Sequence, residues 1–217
     1  MELQAKGLVV ETFGNASGID RAAGLIAIKP SGVPSKELAV QDIVLVDMNN
    51  NIVEGKLNPS SDAKTHTVLY KTFPEIGGIV HTHSTYATAW AQAKRSIPCM
   101  GTTQADYIQG EIPCTEDLST EQISGDYEIE TGNQIVKRLT QFSAEHIKMI
   151  LVAGHAPFTW GADPEEALHN SILLEEIAKI SFLTININPG TASLSSALLN
   201  KHYERKHGIS AYYGQKY

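Results

Sequence analysis

Cysteine is nearly absent from this chain: two in 217 residues, Cys99 and Cys114, each directly after a proline. Two thiols do not make a disulfide framework, and neither sits in a nucleophile's context, so both are read as small core residues. Basic charge is scarce as well. Seventeen Lys and Arg against 24 Asp and Glu give a formal charge of −7, which argues against nucleic acid, whose binding rests on clustered positive charge. No apolar run approaches the roughly 20 residues of a membrane span, and no apolar leader opens the chain. The expectation is a cytoplasmic protein with no nucleic-acid and no membrane partner. Repeats, low-complexity tracts and linker-like segments are missing too. With 42% hydrophobic residues the chain can fill one substantial core, and a single domain over 1–217 follows.

What is present reads as short strands, then helices. Val9–Thr12, Leu25–Ile28, Ile43–Val46 and Ile52–Val53 have strand composition, and the first two are separated by the turn-rich stretch Gly14–Gly18. Connections this short cannot hold helical crossovers, so antiparallel pairing should dominate. Helices are predicted from Ser60–Asp62 to about Lys71, over Tyr86–Ala93, from a capping box at Ser119–Gln122, over Thr131–Phe142, from Asp163-Pro164 to about Ile180, and over Leu194–Lys206. The basic residues from Lys201 to His207 fall at the end of that last helix, where they complement its dipole. The fold class is α/β: one layered domain with a central, predominantly antiparallel sheet flanked by helices, unlike a doubly wound nucleotide fold.

Within this frame one stretch stands out. Gly77-Gly78-Ile79-Val80 reads as a buried strand and runs into His81-Thr82-His83-Ser84. Side chains two apart on a strand share a face, so both imidazoles point the same way. Two histidines aimed at one point are a metal site or an accident of packing. A third, His155, follows the strand Met149–Val152 through Gly154. Two ligands close in sequence plus one distant is a common layout for a catalytic zinc that keeps a position open for substrate. Asp62 is a helix-capping acid or a fourth, oxygen ligand. His66, His146, His169 and His207 are read as structural or solvated, and His202 stays undecided.

A second set of residues suits an anion. Gly14-Asn15, Ser31-Gly32 and Ser60-Ser61 are small hydrogen-bonding pairs in turns, the last where a helix begins. Amides at a helix start, hydroxyl donors and the positive dipole end together make a phosphate cradle.

Taken in order, Gly14-Asn15-Ala16-Ser17, Lys29-Pro30-Ser31-Gly32, Pro59-Ser60-Ser61-Asp62, Gly78 through Ser84, Gly101 through Tyr107, Gly154-His155-Ala156-Pro157-Phe158, Lys201-His202-Tyr203 and Ala211-Tyr212-Tyr213-Gly214 resemble the class II aldolase/epimerase family across nearly the whole chain. The resemblance implies one divalent cation per subunit, zinc by its donor set, held by His81, His83 and His155 with Asp62 as the carboxylate. It implies phosphate contacts from Gly14, Asn15, Ser31, Gly32, Ser60 and Ser61, and proton transfer by Asp106 and Tyr213. It also implies a small phosphorylated ketose as substrate, epimerised by aldol-type cleavage and re-addition, and a fourfold homotetramer with active sites at subunit boundaries. An aldolase that releases its aldehyde and a non-catalytic, adducin-like assembly domain are the alternatives. The family begins with a longer helix; here fourteen residues precede Asn15, so that helix is expected to be shortened.

Overall fold

In a computed structural model, described here for residues 2–140, 142 and 147–214, seven strands form one sheet in the order β4-β3-β2-β1-β5-β7-β6, every neighbouring pair antiparallel. The strands are β1 (Asn15–Asp20), β2 (Leu25–Ile28), β3 (Val44–Asp47), β4 (Ile52–Glu54), β5 (Gly78–His81), β6 (Met149–Leu151) and β7 (Pro157–Gly161). The helices are α1 (Glu2–Ala5), α2 (Ala63–Thr72), α3 (Thr85–Gln92), α4 (Thr102–Ala105), α5 (Thr120–Ser124), α6 (Tyr127–Leu139), α7 (Pro164–Ile187) and α8 (Ser196–His207). The antiparallel sheet flanked by helices matches the expected architecture. The first helix, α1, has four residues.

Period-two burial explains β2 and β3: Ile26, Ile28, Val44 and Val46 are fully buried while their neighbours are not. All four residues of β5 and all five of β7 are buried, because helices cover both faces there. The two sides can be read from β1. Ser17 turns toward α2, bonding His66 Nδ1 (2.7 Å) and the Tyr70 hydroxyl (2.8 Å). Gly18, pointing the other way, lies under Pro164 at the start of α7.

Gly18, Gly78 and Gly161 sit side by side across β1, β5 and β7. A Cβ on Gly18 would lie 2.8 Å from Pro164 Cγ, one on Gly161 2.5 Å from Glu166 Cβ, and one on Gly78 would run into the Asp163–Pro164 backbone. Bare backbone on three adjacent strands is what lets the N-terminus of α7 rest on the sheet.

Some expectations fail for identifiable reasons. Val9–Thr12 is not a strand: Val10 is exposed, Glu11 has φ 53°, and the Phe13 N–H bonds the Val10 carbonyl in a turn. The strand is instead Asn15–Asp20, whose Asn, Ser and Gly mimic a turn locally. Pairing on both sides, to β2 and β5, satisfies its backbone and overrides that preference. β7 has no counterpart among the expected strands, and it lies between β5 and β6. Helix α7 continues to Ile187, beyond the expected end near Ile180, and the sequence did not mark this stretch because Phe182, Leu183 and Ile187 are exposed apolar side chains that carry no amphipathic signal. Helix α6 starts four residues early, at an Asp126 cap.

The Ser119–Gln122 capping box and the Asp163-Pro164 helix start are present as expected. Both cysteines are buried free thiols, and burial pushes Cys114 up to about 11. Among the described residues no helix is long and apolar enough to cross a membrane. His146 lies outside the described residues.

Candidate metal centre and anion pocket

The three histidines meet. β5 ends at His81, which is 2% exposed. His83 follows in the turn before α3, and His155 sits in the hairpin between β6 and β7, where Gly154 takes the left-handed conformation (φ 70°). One ring nitrogen from each lies within 4.8 Å of the others, and His81 Nε2 is 3.2 Å from His83 Nε2. Two nitrogens bound to one tetrahedral zinc at ~2.0–2.1 Å would stand about 3.3 Å apart.

Local contacts choose which nitrogen faces inward. His81 Nδ1 donates to the Pro157 carbonyl (2.9 Å), and the ring stacks on Phe158 with centroids 4.2 Å apart. Its Nε2 lone pair is therefore directed at the cluster. His155 Nδ1 faces the Tyr127 hydroxyl at 3.4 Å, leaving its other nitrogen free. Burial lowers the pKa of all three imidazoles, and for His81 and His155 a neighbouring imidazole lowers it further. Three neutral imidazoles with converging lone pairs suit a divalent cation and would be a costly way to bury protonated groups.

Asp62 occupies the N-cap position of α2 but makes no cap bond with its side chain. Its Oδ2 accepts from Asn15 Nδ2 (2.7 Å) and lies 3.8 Å from His81 Nε2. The carboxylate thus turns toward Asn15 and the imidazoles and not toward its own helix.

All six residues of the expected anion cradle, Gly14, Asn15, Ser31, Gly32, Ser60 and Ser61, line one cavity of about 370 Å³ together with Asp62 and the histidines. Asn15 Oδ1 is buried there without a hydrogen-bond partner, an acceptor left for something else. Sequence reasoning missed Lys29, although it opens the Lys-Pro-Ser-Gly stretch. It lines the same cavity, is 7% exposed, and among the described residues its Nζ bonds the Pro30 (3.3 Å) and Thr12 (3.5 Å) carbonyls alone. Burial lowers its pKa, and among the described residues no carboxylate pairs with it. Thr12, Phe13, Pro30, Tyr127 and Glu128 complete the wall, and no local pattern could have marked Phe13, Tyr127 or Glu128.

Asp106 and Tyr213 do not line this cavity. Asp106 follows α4 and is gripped by α8: His202 Nδ1 (2.8 Å), Arg205 Nη2 (2.7 and 2.8 Å), Arg205 Nε (3.1 Å) and Lys206 Nζ (3.6 Å) all face its carboxylate. Burial would raise its pKa, but the bonds from Arg205 and His202 and the Lys206 charge win and hold it below the usual carboxylate value. The guanidinium of Arg205 also lies 4.8 Å from the centre of the exposed Tyr213 ring. Asp106 and Tyr213 are therefore brought together, around Arg205, but away from the histidines of their own chain. The basic end of α8 does more than match a dipole: it clamps an acid. His202 belongs to that clamp. His66 bonds Ser17 and burial drives it down to about 3, a structural role. His169 lies near Tyr107, and His207 Nε2 donates to the Asp106 carbonyl.

A flanked antiparallel sheet whose three imidazoles and carboxylate share one cavity of about 370 Å³ with three polar turns has the architecture of a class II aldolase-like protein. Residues 1–182 match the class II aldolase and adducin N-terminal domain, and the chain belongs to that family. The proteins named L-ribulose-5-phosphate 4-epimerase UlaF in Salmonella paratyphi A and Salmonella typhi are 50% identical to it over 216 residues, 100% of this chain and 95% of theirs. Among solved structures, an L-fuculose 1-phosphate aldolase is 27% identical with a TM-score of 0.78, over 94% of this chain and 90% of that one. A second, from Glaciozyma antarctica, shares the fold at 18% identity and a TM-score of 0.77, over 96% and 78%.

Proposed function

We propose that this protein is an isomerase that inverts C4 of L-ribulose 5-phosphate to give D-xylulose 5-phosphate, with one zinc ion per subunit, working in the cytoplasm as a fourfold homotetramer. The observation that carries the reading is the pocket in which three neutral imidazoles and Asp62 adjoin Lys29 and three turns of anion donors. The choice of sugar follows the relatives at 50% identity.

His81, His83 and His155, with Asp62, would hold the ion. When bound, it supplies Lewis-acid neutralisation of negative charge developing on sugar oxygens. Gly14, Asn15, Ser31, Gly32, Ser60 and Ser61 grip the phosphate through amides and hydroxyls, and Lys29 adds a positive charge to the pocket wall. The hydrogen on C4 is not adjacent to the carbonyl, so direct proton removal is unattractive, and breaking C3–C4 is easier. One residue takes the C4 hydroxyl proton as that bond breaks, leaving glycolaldehyde phosphate and a three-carbon enediolate. The anchored aldehyde turns its other face, the bond reforms, and a second acid on the opposite side protonates the new alkoxide. Opposite faces need two groups, Asp106 and Tyr213. Because both lie outside the pocket of their own chain, a neighbouring protomer must deliver them, which makes assembly a condition of turnover. The exposed apolar residues of α7 offer surface for that contact.

The test is a coupled assay on L-ribulose 5-phosphate with and without chelator, scoring xylulose 5-phosphate and free aldehyde separately. Chelator-sensitive xylulose 5-phosphate is expected. The likeness to an L-fuculose 1-phosphate aldolase makes a lyase the second reading, and free aldehyde in excess would favour it. Purified protein that holds no metal and turns over no sugar would point to an assembly domain.

A further inference from the structure

Helix α3 begins one residue after the metal-ligand turn His81-Thr82-His83, so its N-terminus fixes where that turn ends. Ser84 is its N-cap residue and of the preferred type, yet its side chain makes no cap bond, and its Oγ is buried without a partner. The work is done from another element. Glu175, in the middle of α7, accepts from the Tyr86 N–H with both oxygens (2.9 and 3.1 Å) and from the Ala87 N–H with Oε2 (2.9 Å). A carboxylate at a helix N-terminus satisfies amides that would otherwise stay unbonded and opposes the positive dipole end.

The far end of α3 is tied to the same helix and to the other ligand. Trp90 Nε1 donates to the Ala178 carbonyl of α7 (3.0 Å). The Ala91 carbonyl accepts from the Gly154 N–H (2.9 Å), directly before His155. Helix α3 is therefore a spacer with His83 at one end and His155 at the other, and α7 holds it at both.

We propose that Glu175 is a positioning residue of the metal centre: its carboxylate, in place of Ser84, caps α3 and thereby sets His83 against His81 and His155. Among the described residues it makes no hydrogen bond to the histidines and it does not line their cavity, so it acts through the helix. The inference rests on the histidine trio being a metal site. Outer partners that orient ligands this way change metal affinity by roughly 10–100-fold when lost.

The experiment measures zinc affinity of the full-length protein by chelator competition for wild type, Glu175→Gln and Ser84→Ala, alongside melting of each chelator-stripped protein. Glutamine keeps the volume and one acceptor oxygen, so the fold survives while one amide loses its partner. Glu175→Gln should bind zinc about tenfold more weakly, and Ser84→Ala should bind it as wild type does. Native zinc affinity in Glu175→Gln, whatever its melting temperature, would show mere packing and overturn the proposal. An equal loss in Ser84→Ala would overturn it too, by making the serine the cap. Wild-type protein that binds no zinc would instead remove the metal reading itself, and this inference with it.

Discussion

Replacing Asp106 by Asn separates chemistry from architecture in a single variant. The Asp106 side chain is 14% exposed and faces one histidine, one arginine through two of its nitrogens, and one lysine, all from α8. Asparagine keeps the shape but turns charge-assisted bonds into neutral ones, which are about half as strong. From ~1.5–3 kcal/mol for a bond to a charged group, the loss across the Arg205 fork and His202 comes to about 2–3 kcal/mol. For a chain of this size that lowers the melting temperature by about 4–12 °C. The pH dependence carries a sign. A carboxyl whose folded pKa is depressed contributes stability above its unfolded value of ~3.9 and loses it as pH falls toward the folded value. The gap between wild type and variant should therefore be full at pH 7 and narrow below about pH 4. Turnover should fall by about 10²-fold or more, the scale of a lost general acid or base, while bound metal stays unchanged because Asp106 is not at the histidines. Thermal melts from pH 7 to 3.5, elemental analysis and the coupled assay together decide it. Turnover within about twofold of wild type would remove Asp106 from the mechanism, and a gap that does not narrow in acid would refute the clamp.

His83→Ala should lose metal and turnover by more than the ~100-fold seen for outer-shell partners, as read by elemental analysis and the coupled assay; full metal occupancy would break the trio. Lys29→Met should raise KM for the phosphorylated sugar by about tenfold or more with a smaller effect on kcat, the worth of one charge-assisted bond to phosphate. A drop in kcat alone would move Lys29 to the reacting atoms. Gly78→Ala should destabilise by about 3 kcal/mol or more, because the added methyl meets backbone with nowhere to move; a native melting curve would show that α7 can lift off the sheet.

The sequence by itself determined what local chemistry can encode. Alternating burial in Leu25–Ile28 and Val44–Asp47, the Ser119 and Asp163 caps, and the His-x-His pair at a strand end were all legible, since each depends on residues within a few positions. The order of the motifs carried the family, and with it the expectation of a ligand set and an anion cradle. Only tertiary structure decided the rest. Asn15–Asp20 became a central strand because two neighbours satisfied its backbone against its own turn preference. Three glycines far apart in sequence became the floor for α7. Asp62 left its helix uncapped to accept from Asn15 and face His81, Lys29 was buried in the same cavity, and Asp106 was handed to α8 instead of that cavity. Apart from Lys29, the deciding partner in these cases lies on another strand or a packed helix, and no run of neighbouring residues specifies contacts made over that distance.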